Sequence, residues 1–166
     1  VSIDPSAQTA LLAEYISATV CAVKIAPDGN LVKVTSSLPQ TGSSIHPKRQ
    51  QHAYPHSFTY DPAGRYGFSP DLGADKVFVY RVNAATGSLE PNDPAFVTVA
   101  PGSGPRHMVF DAAAKHAYLA NELSNTIVVF KYDSAAGKLA PVQTIGTLPD
   151  DFKGQNTAAD IRLHPS

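Results

Sequence analysis

Several stretches of the chain alternate their side chains with a period of two, and each is bounded by turn residues. In Lys76-Val77-Phe78-Val79-Tyr80-Arg81-Val82, residues Val77, Val79 and Arg81 face one way, and Phe78, Tyr80 and Val82 the other. Thr126-Ile127-Val128-Val129-Phe130-Lys131-Tyr132 reads the same way. Both runs are rich in Val, Ile, Tyr and Phe, which suit a pleated, packed surface. Both faces are largely apolar, so each expected sheet must be covered on both sides. No segment keeps a convincing 3.6-residue period over a helix-length run; the Ala-rich 112–117 stretch is short and sits at a turn.

The pattern repeats. Asp4-Pro5, Asp61-Pro62 and Asp111-Ala112 each open a unit. Each unit runs through a turn, an apolar strand, a short polar loop and a second, alternating strand. It closes on a Gly-containing turn: Gly29-Asn-Leu31, Gly87-Ser-Leu89 or Gly137-Lys-Leu139. A fourth start lies at His164-Pro165, so successive starts are 57, 50 and 53 residues apart. Glycine in these hairpin turns supplies the positive φ that they demand.

Repeated units of this kind imply an all-β fold, a β-propeller of four-stranded blades stacked against one another. The blades are expected at about 4–50, 57–100 and 107–150, within one partial domain, with a further blade starting at 157–166. Inner strands are expected at Ser57–Tyr60, His107–Phe110 and Ala159–Leu163. Second strands follow at Ala10–Tyr15, Tyr66–Ser69 and His116–Ala120, and third strands at Val20–Ile25, Val77–Val82 and Ile127–Tyr132. The outermost strands are expected near Leu31–Thr35, Phe96–Val99 and Val142–Thr147. Closed propellers have about 4–8 blades. Three blades and one inner strand therefore need the rest of a longer polypeptide, or further copies, to close the ring.

Composition narrows the function. Thirteen basic and fourteen acidic residues leave a net charge of −1, which gives no footprint for nucleic acid or a membrane surface. No apolar run reaches the ~18 residues of a membrane span, and no signal peptide is visible, which leans towards the cytoplasm. Cys21 is alone, reads as a small buried strand residue, and has no partner for an internal disulfide. No His/Cys/carboxylate spacing calls for a metal, and Gly102-Ser-Gly104 precedes a strand rather than a helix, so no cofactor is implied.

Candidate chemistry gathers at equivalent repeat positions. His52-Ala-Tyr-Pro-His56-Ser57 precedes the second inner strand, and Gly102-Ser-Gly-Pro105-Arg106-His107 precedes the third. Asn121-Glu122-Leu-Ser124 ends a second strand and matches Asp71-Leu-Gly73 and Glu14-Tyr15-Ile16. Polar residues at one repeat position on neighbouring blades converge towards a propeller axis. Each also has a plain structural reading. A His beside Pro can serve a turn, an Arg after Gly-Pro can bridge blades, and Glu122 can cap a turn. Asp71 and Asp75 read as Asx-turn residues. His46, His116 and His164 lie at unrelated repeat positions and read as structural.

The stretches His52-x-x-x-His56-Ser-Phe58, Asp71-Leu-Gly-Ala-Asp75, Gly102-x-Gly-Pro-Arg-His107 and Asn121-Glu-Leu-Ser124 resemble the 6-phosphogluconolactonase/3-carboxymuconate-cyclase-like propellers, most closely their fungal branch. Leu148-Pro-Asp-Asp-Phe152 and Asn156-Thr-Ala-Ala-Asp160 are similar to that family's approach to the next blade. The resemblance implies a seven-bladed parent that works on a small anionic lactone or muconate-type substrate without a cofactor. It carries the catalytic roles to His56, Arg106 and Glu122, with His52, His107 and Asn121 as substrate-binding candidates. Two departures stand out: a family Arg one blade further on lies beyond this chain, and Asp160 stands where Glu is more usual. The first implies that this length alone is inactive or poorly active. Arg106 would hold a carboxylate or phosphate bidentately and steady an oxyanion; Glu122 and His56 would transfer protons. The rival expectation is a non-catalytic propeller that serves as a binding or secreted antigen-like protein.

Overall fold

The computed structural model describes residues 1–164 and contains three four-stranded antiparallel sheets, each a simple meander. The first holds β1 (Ser2–Ile3), β2 (Thr9–Glu14), β3 (Thr19–Ile25) and β4 (Leu31–Pro39). The second holds β5 (Thr59–Tyr60), β6 (Tyr66–Asp71), β7 (Lys76–Asn83) and β8 (Ser88–Thr98), and the third β9 (Pro105–Phe110), β10 (His116–Asn121), β11 (Thr126–Asp133) and β12 (Lys138–Gly146). Adjacent blades meet near their inner strands, β1 against β5 and β9 against β6, as a radial stack requires. These are three blades of a propeller.

Alternation along β7 shows why both of its faces are apolar. Val77 and Val79 enter a core cluster with Phe68, Met108, Leu119 and Phe130, between the second and third blades. Phe78, Tyr80 and Val82 point the other way, against Leu11, Val20, Ala22 and Phe58 of the other inter-blade cluster. Aromatic rings line both seams. Phe68, Phe110 and Tyr132 sit with centroids 4.9–5.6 Å apart, and Phe58 meets Tyr80 edge-on at 5.4 Å. Such pairs add about 0.5–1.5 kcal/mol each beyond their burial.

Each unit opens on an aspartate that braces the first turn. Asp4 accepts the backbone N–H groups of Ser6, Gln8 and Thr9, Asp61 those of Arg65 and Tyr66, and Asp111 that of Lys115. The turn also needs a left-handed residue, at Ala7, Gly64 and Ala114. Gly87, with φ of 73°, has a second reason to be glycine. A Cβ there would lie 2.1 Å from Thr35 Oγ1 of the preceding blade.

Four sequence expectations change. The first blade has an inner strand, β1, that lies before the Asp4-Pro5 start. The outer strands begin directly after their glycine turns, so β8 runs from Ser88 rather than Phe96 and β12 from Lys138 rather than Val142. A register shift in β8 sets Phe96 opposite Phe78 but Pro91 opposite Tyr80, and this broken alternation hid its first half. Ala159–Leu163 forms no strand, because no described strand offers it a ladder to pair with. The fourth repeat start at His164-Pro165 falls partly outside the described residues.

Candidate active site

The third blade places Arg106 through a defect in its ladder. Ala120 pairs with His107 and Asn121 with Pro105, so Arg106 is the extra residue of a β-bulge. Bulges of this kind re-aim a side chain at the rim of a sheet. Pro55 bridges Asp71 just as Pro105 pairs with Asn121, so His56 occupies the position of Arg106 on the neighbouring blade. Glu122 follows β10, its N–H held by Gly104 O at 2.7 Å, and Tyr15 takes the equivalent place after β2.

These side chains meet. Glu122 Oε2 accepts from Arg106 Nε at 2.9 Å and lies 3.6 Å from His56 Nε2. Its other oxygen, Oε1, accepts from Arg49 Nη2 at 2.6 Å. Glu122 is therefore a buried carboxylate between two guanidinium groups, with an imidazole beside it. Burial, then the charge of Arg106, depresses the His56 pKa below its ordinary value despite the opposing pull of Glu122. His56 is thus neutral at pH 7, and its Nδ1 has no hydrogen-bond partner. The His56 and His107 rings meet edge-on at 5.5 Å, and Tyr15 contacts His56 edge-on at 5.4 Å while stacking on Tyr54 at 4.7 Å.

Residues 158–160 close one side. Arg106 Nη1 donates to Ala159 O, and Ala158 N to Glu122 O at 3.2 Å. His107 Nδ1 pairs with Asp160 Oδ1 at 2.7 Å, and that contact pulls the Asp160 carboxyl below its usual range. A cleft lined by Ser57, Thr59, His107, Val109 and Asp160 runs along the inner strands beside the cluster. Among the described residues no cluster of His, Cys, Asp and Glu could hold a metal ion.

The sequence-derived candidates divide accordingly. His56, Arg106, Glu122 and His107 come together. His52 is exposed and touches Tyr54 rather than the carboxylate. Asn121 is fully buried and donates to Thr126 Oγ1 at 3.0 Å. Arg49 was not singled out from the sequence. It lies in a linker 73 residues from Glu122 and has no repeat counterpart; the only signal was a basic residue just before the His52–His56 motif. Asp71 and Asp75 do more than close Asx turns. Asp71 Oδ1 accepts from both Ala74 N and Tyr54 N, and Asp75 accepts from Gly102 N and Gly104 N. They moor the two loops that carry His56 and Arg106. His46, in contrast, accepts from Lys48 N and Arg49 N in a local turn, and His116 pairs with Asp111.

Comparison with known proteins gives the chain its family. The family model described as "Lactonase, 7-bladed beta-propeller" matches residues 1–166. The chain belongs to the seven-bladed lactonase propeller family. It is 32% identical over 163 residues to the 6-phosphogluconolactonase of Bacillus subtilis, covering 98% of this chain and 45% of that protein. A fungal protein of Arthroderma benhamiae, named "Probable 6-phosphogluconolactonase", is 33% identical, covering 100% of this chain and 43% of its own length. The solved structure of the periplasmic gluconolactonase of Pseudomonas aeruginosa superposes with a TM-score of 0.90 at 37% identity, over 99% of this chain and 46% of that one. This lactonase-family chain thus spans about half the length of the relatives it matches, and its three blades are part of a seven-bladed architecture.

Proposed function

We propose that the complete protein hydrolyses a small anionic sugar lactone of the 6-phosphogluconolactone type, at the end of the axis where Glu122, Arg106 and His56 meet. One observation carries the reading: a buried carboxylate, a bulge-aimed guanidinium and a neutral imidazole lie in direct contact on adjacent blades. Relatives named as gluconolactonases favour sugar-lactone hydrolysis over muconate cyclisation and over the non-catalytic reading.

The chemistry follows from which atoms are uncommitted. Both oxygens of Glu122 are already held by guanidinium groups, whereas His56 is neutral and its Nε2, 3.6 Å from Glu122 Oε2, lies beyond hydrogen-bond reach of that carboxylate. The imidazole of His56 takes a proton from water as that water bonds to the lactone carbonyl carbon. Arg106 faces the negative charge that grows on the carbonyl oxygen, where a preorganised cation contributes most. The bond from that carbon to the ring oxygen then breaks, the proton passes to the departing oxygen, and an open hydroxy acid results. Glu122 fixes Arg106 and balances the imidazolium that forms.

The test uses the complete seven-bladed protein and 6-phosphogluconolactone. Arg106→Ala and Glu122→Ala should each lower turnover at least ~100-fold, the scale of removing one electrostatic or acid–base element, with the circular dichroism spectrum of the parent retained. Full activity in both variants would leave the propeller a binding scaffold.

A further inference from the structure

We infer that Arg49 is the residue that selects for a negative charge on the substrate; the inference rests on the lactonase reading and assigns a role within that site. The two guanidinium groups on Glu122 are not equivalent. Arg106 spends Nε on Glu122 and Nη1 on Ala159 O, and its side chain is 23% exposed. Arg49 spends one nitrogen, Nη2, on Glu122, adjoins Tyr15, and is 39% exposed. A guanidinium carries five N–H donors in a planar fork that matches a phosphate. Arg49 therefore keeps more donors free beside the carboxylate and is the more exposed of the two, while Arg106 spends two of its five on the protein and keeps the rest for the carbonyl oxygen.

Its setting fixes where those donors lie. His46 Nδ1 accepts the Arg49 backbone N–H at 3.2 Å, and Gln50, fully buried, donates to Leu72 O at 2.8 Å and accepts from His46 N at 3.0 Å. The backbone on both sides of Arg49 is thus anchored although the residue belongs to no strand. Glu122 and, second, Tyr15 hold the guanidinium firmly protonated. The result is a fixed cation at the edge of the reacting cluster. It is suited to the phosphoryl group of a sugar lactone, at a distance from the lactone carbonyl itself. An anion that docks there gains a contact with Arg49 that an uncharged lactone lacks, whereas both lactones share the hold of Arg49 on Glu122.

The experiment compares kcat/KM for 6-phosphogluconolactone and for unphosphorylated gluconolactone in the complete protein, its Arg49→Gln variant and its Arg49→Lys variant. Arg49→Gln should lose about ten- to hundred-fold of the preference for the phosphorylated lactone, mainly through KM, the scale of one charge-assisted contact. Arg49→Lys should recover part of that preference, because it keeps the charge without the fork. An equal loss on both lactones in Arg49→Gln, with no recovery in Arg49→Lys, would overturn the inference and leave Arg49 a structural partner of Glu122. Calorimetric binding of 6-phosphogluconate separates the Arg49 anchor from the reaction. Arg49-dependent binding without turnover in the parent supports the anchor and removes the reaction. Turnover with a charge preference independent of Arg49 does the reverse.

Discussion

At the scale of single residues, the site is an exercise in charge placement. Glu122 could not be buried without compensation, since an unpaired carboxylate would pay several kcal/mol in desolvation. Arg49 and Arg106 supply the compensation, one on each oxygen. The same Arg106 charge, added to burial, keeps the His56 imidazole deprotonated. His56 should then act as a base over the whole neutral range. It is neutral above its depressed pKa and protonated below it, so kcat/KM should fall on the acid side with a midpoint under the ordinary value of 6.5. A pH profile of lactone hydrolysis checks this, and an acid limb centred above 7 would rule out His56 as the proton acceptor. His56 and Arg106 were legible in the sequence because the repeat sets them at equivalent points of adjacent blades, and the family resemblance carried the roles to them and to Glu122. Arg49 was not, since it stands in a linker that no other unit copies and meets Glu122 only once the blades are stacked.

At the scale of elements, the loops that carry the chemistry are tied to strand ends. Asp71 closes β6 and is fully buried. It gathers Tyr54 N at 2.7 Å and Ala74 N at 2.9 Å, while His56 N bonds to Pro70 O at 2.9 Å. Gly73 lets this happen, because a Cβ there would lie 1.7 Å from His52 O. Burial raises the Asp71 pKa, although its backbone hydrogen bonds pull the other way. A raised carboxyl value means that the contribution of Asp71 to stability is fully present below the ordinary carboxylate range. It declines as pH rises through the raised value. Asp71→Asn keeps an acceptor and should flatten that dependence. Asp71→Ala should cost about 1.5–3 kcal/mol and speed hydrogen exchange at Tyr54. Urea unfolding across pH reads both. The sequence exposed the second and third strands of each blade, where alternation is unbroken. It blurred the outer strands, where a register shift interrupts the pattern, and missed β1, which has two residues. A short inner strand carries too few positions to show any period.

At the scale of the molecule, the propeller turns a repeated sheet into a convergent site. Adjacent blades meet near their inner strands, so residues that leave those strands at equivalent points come together, as His56 and Arg106 do around Glu122. Glu122 follows the second strand of the third blade, Tyr15 follows that of the first, and His56 precedes the inner strand of the second. The two inter-blade cores hold these distances, through Phe68 and Phe130 on one seam and Leu11 and Phe58 on the other, all essentially unexposed. The proposed function puts the opening of a sugar lactone at this junction. The most direct measurement is a crystal structure of the complete protein with 6-phosphogluconate bound. The product carboxylate should lie within hydrogen-bond distance of Arg106 and His56, and its phosphoryl group on Arg49. A product bound elsewhere, with the Glu122–Arg106–Arg49 contacts intact and unliganded, would contradict it.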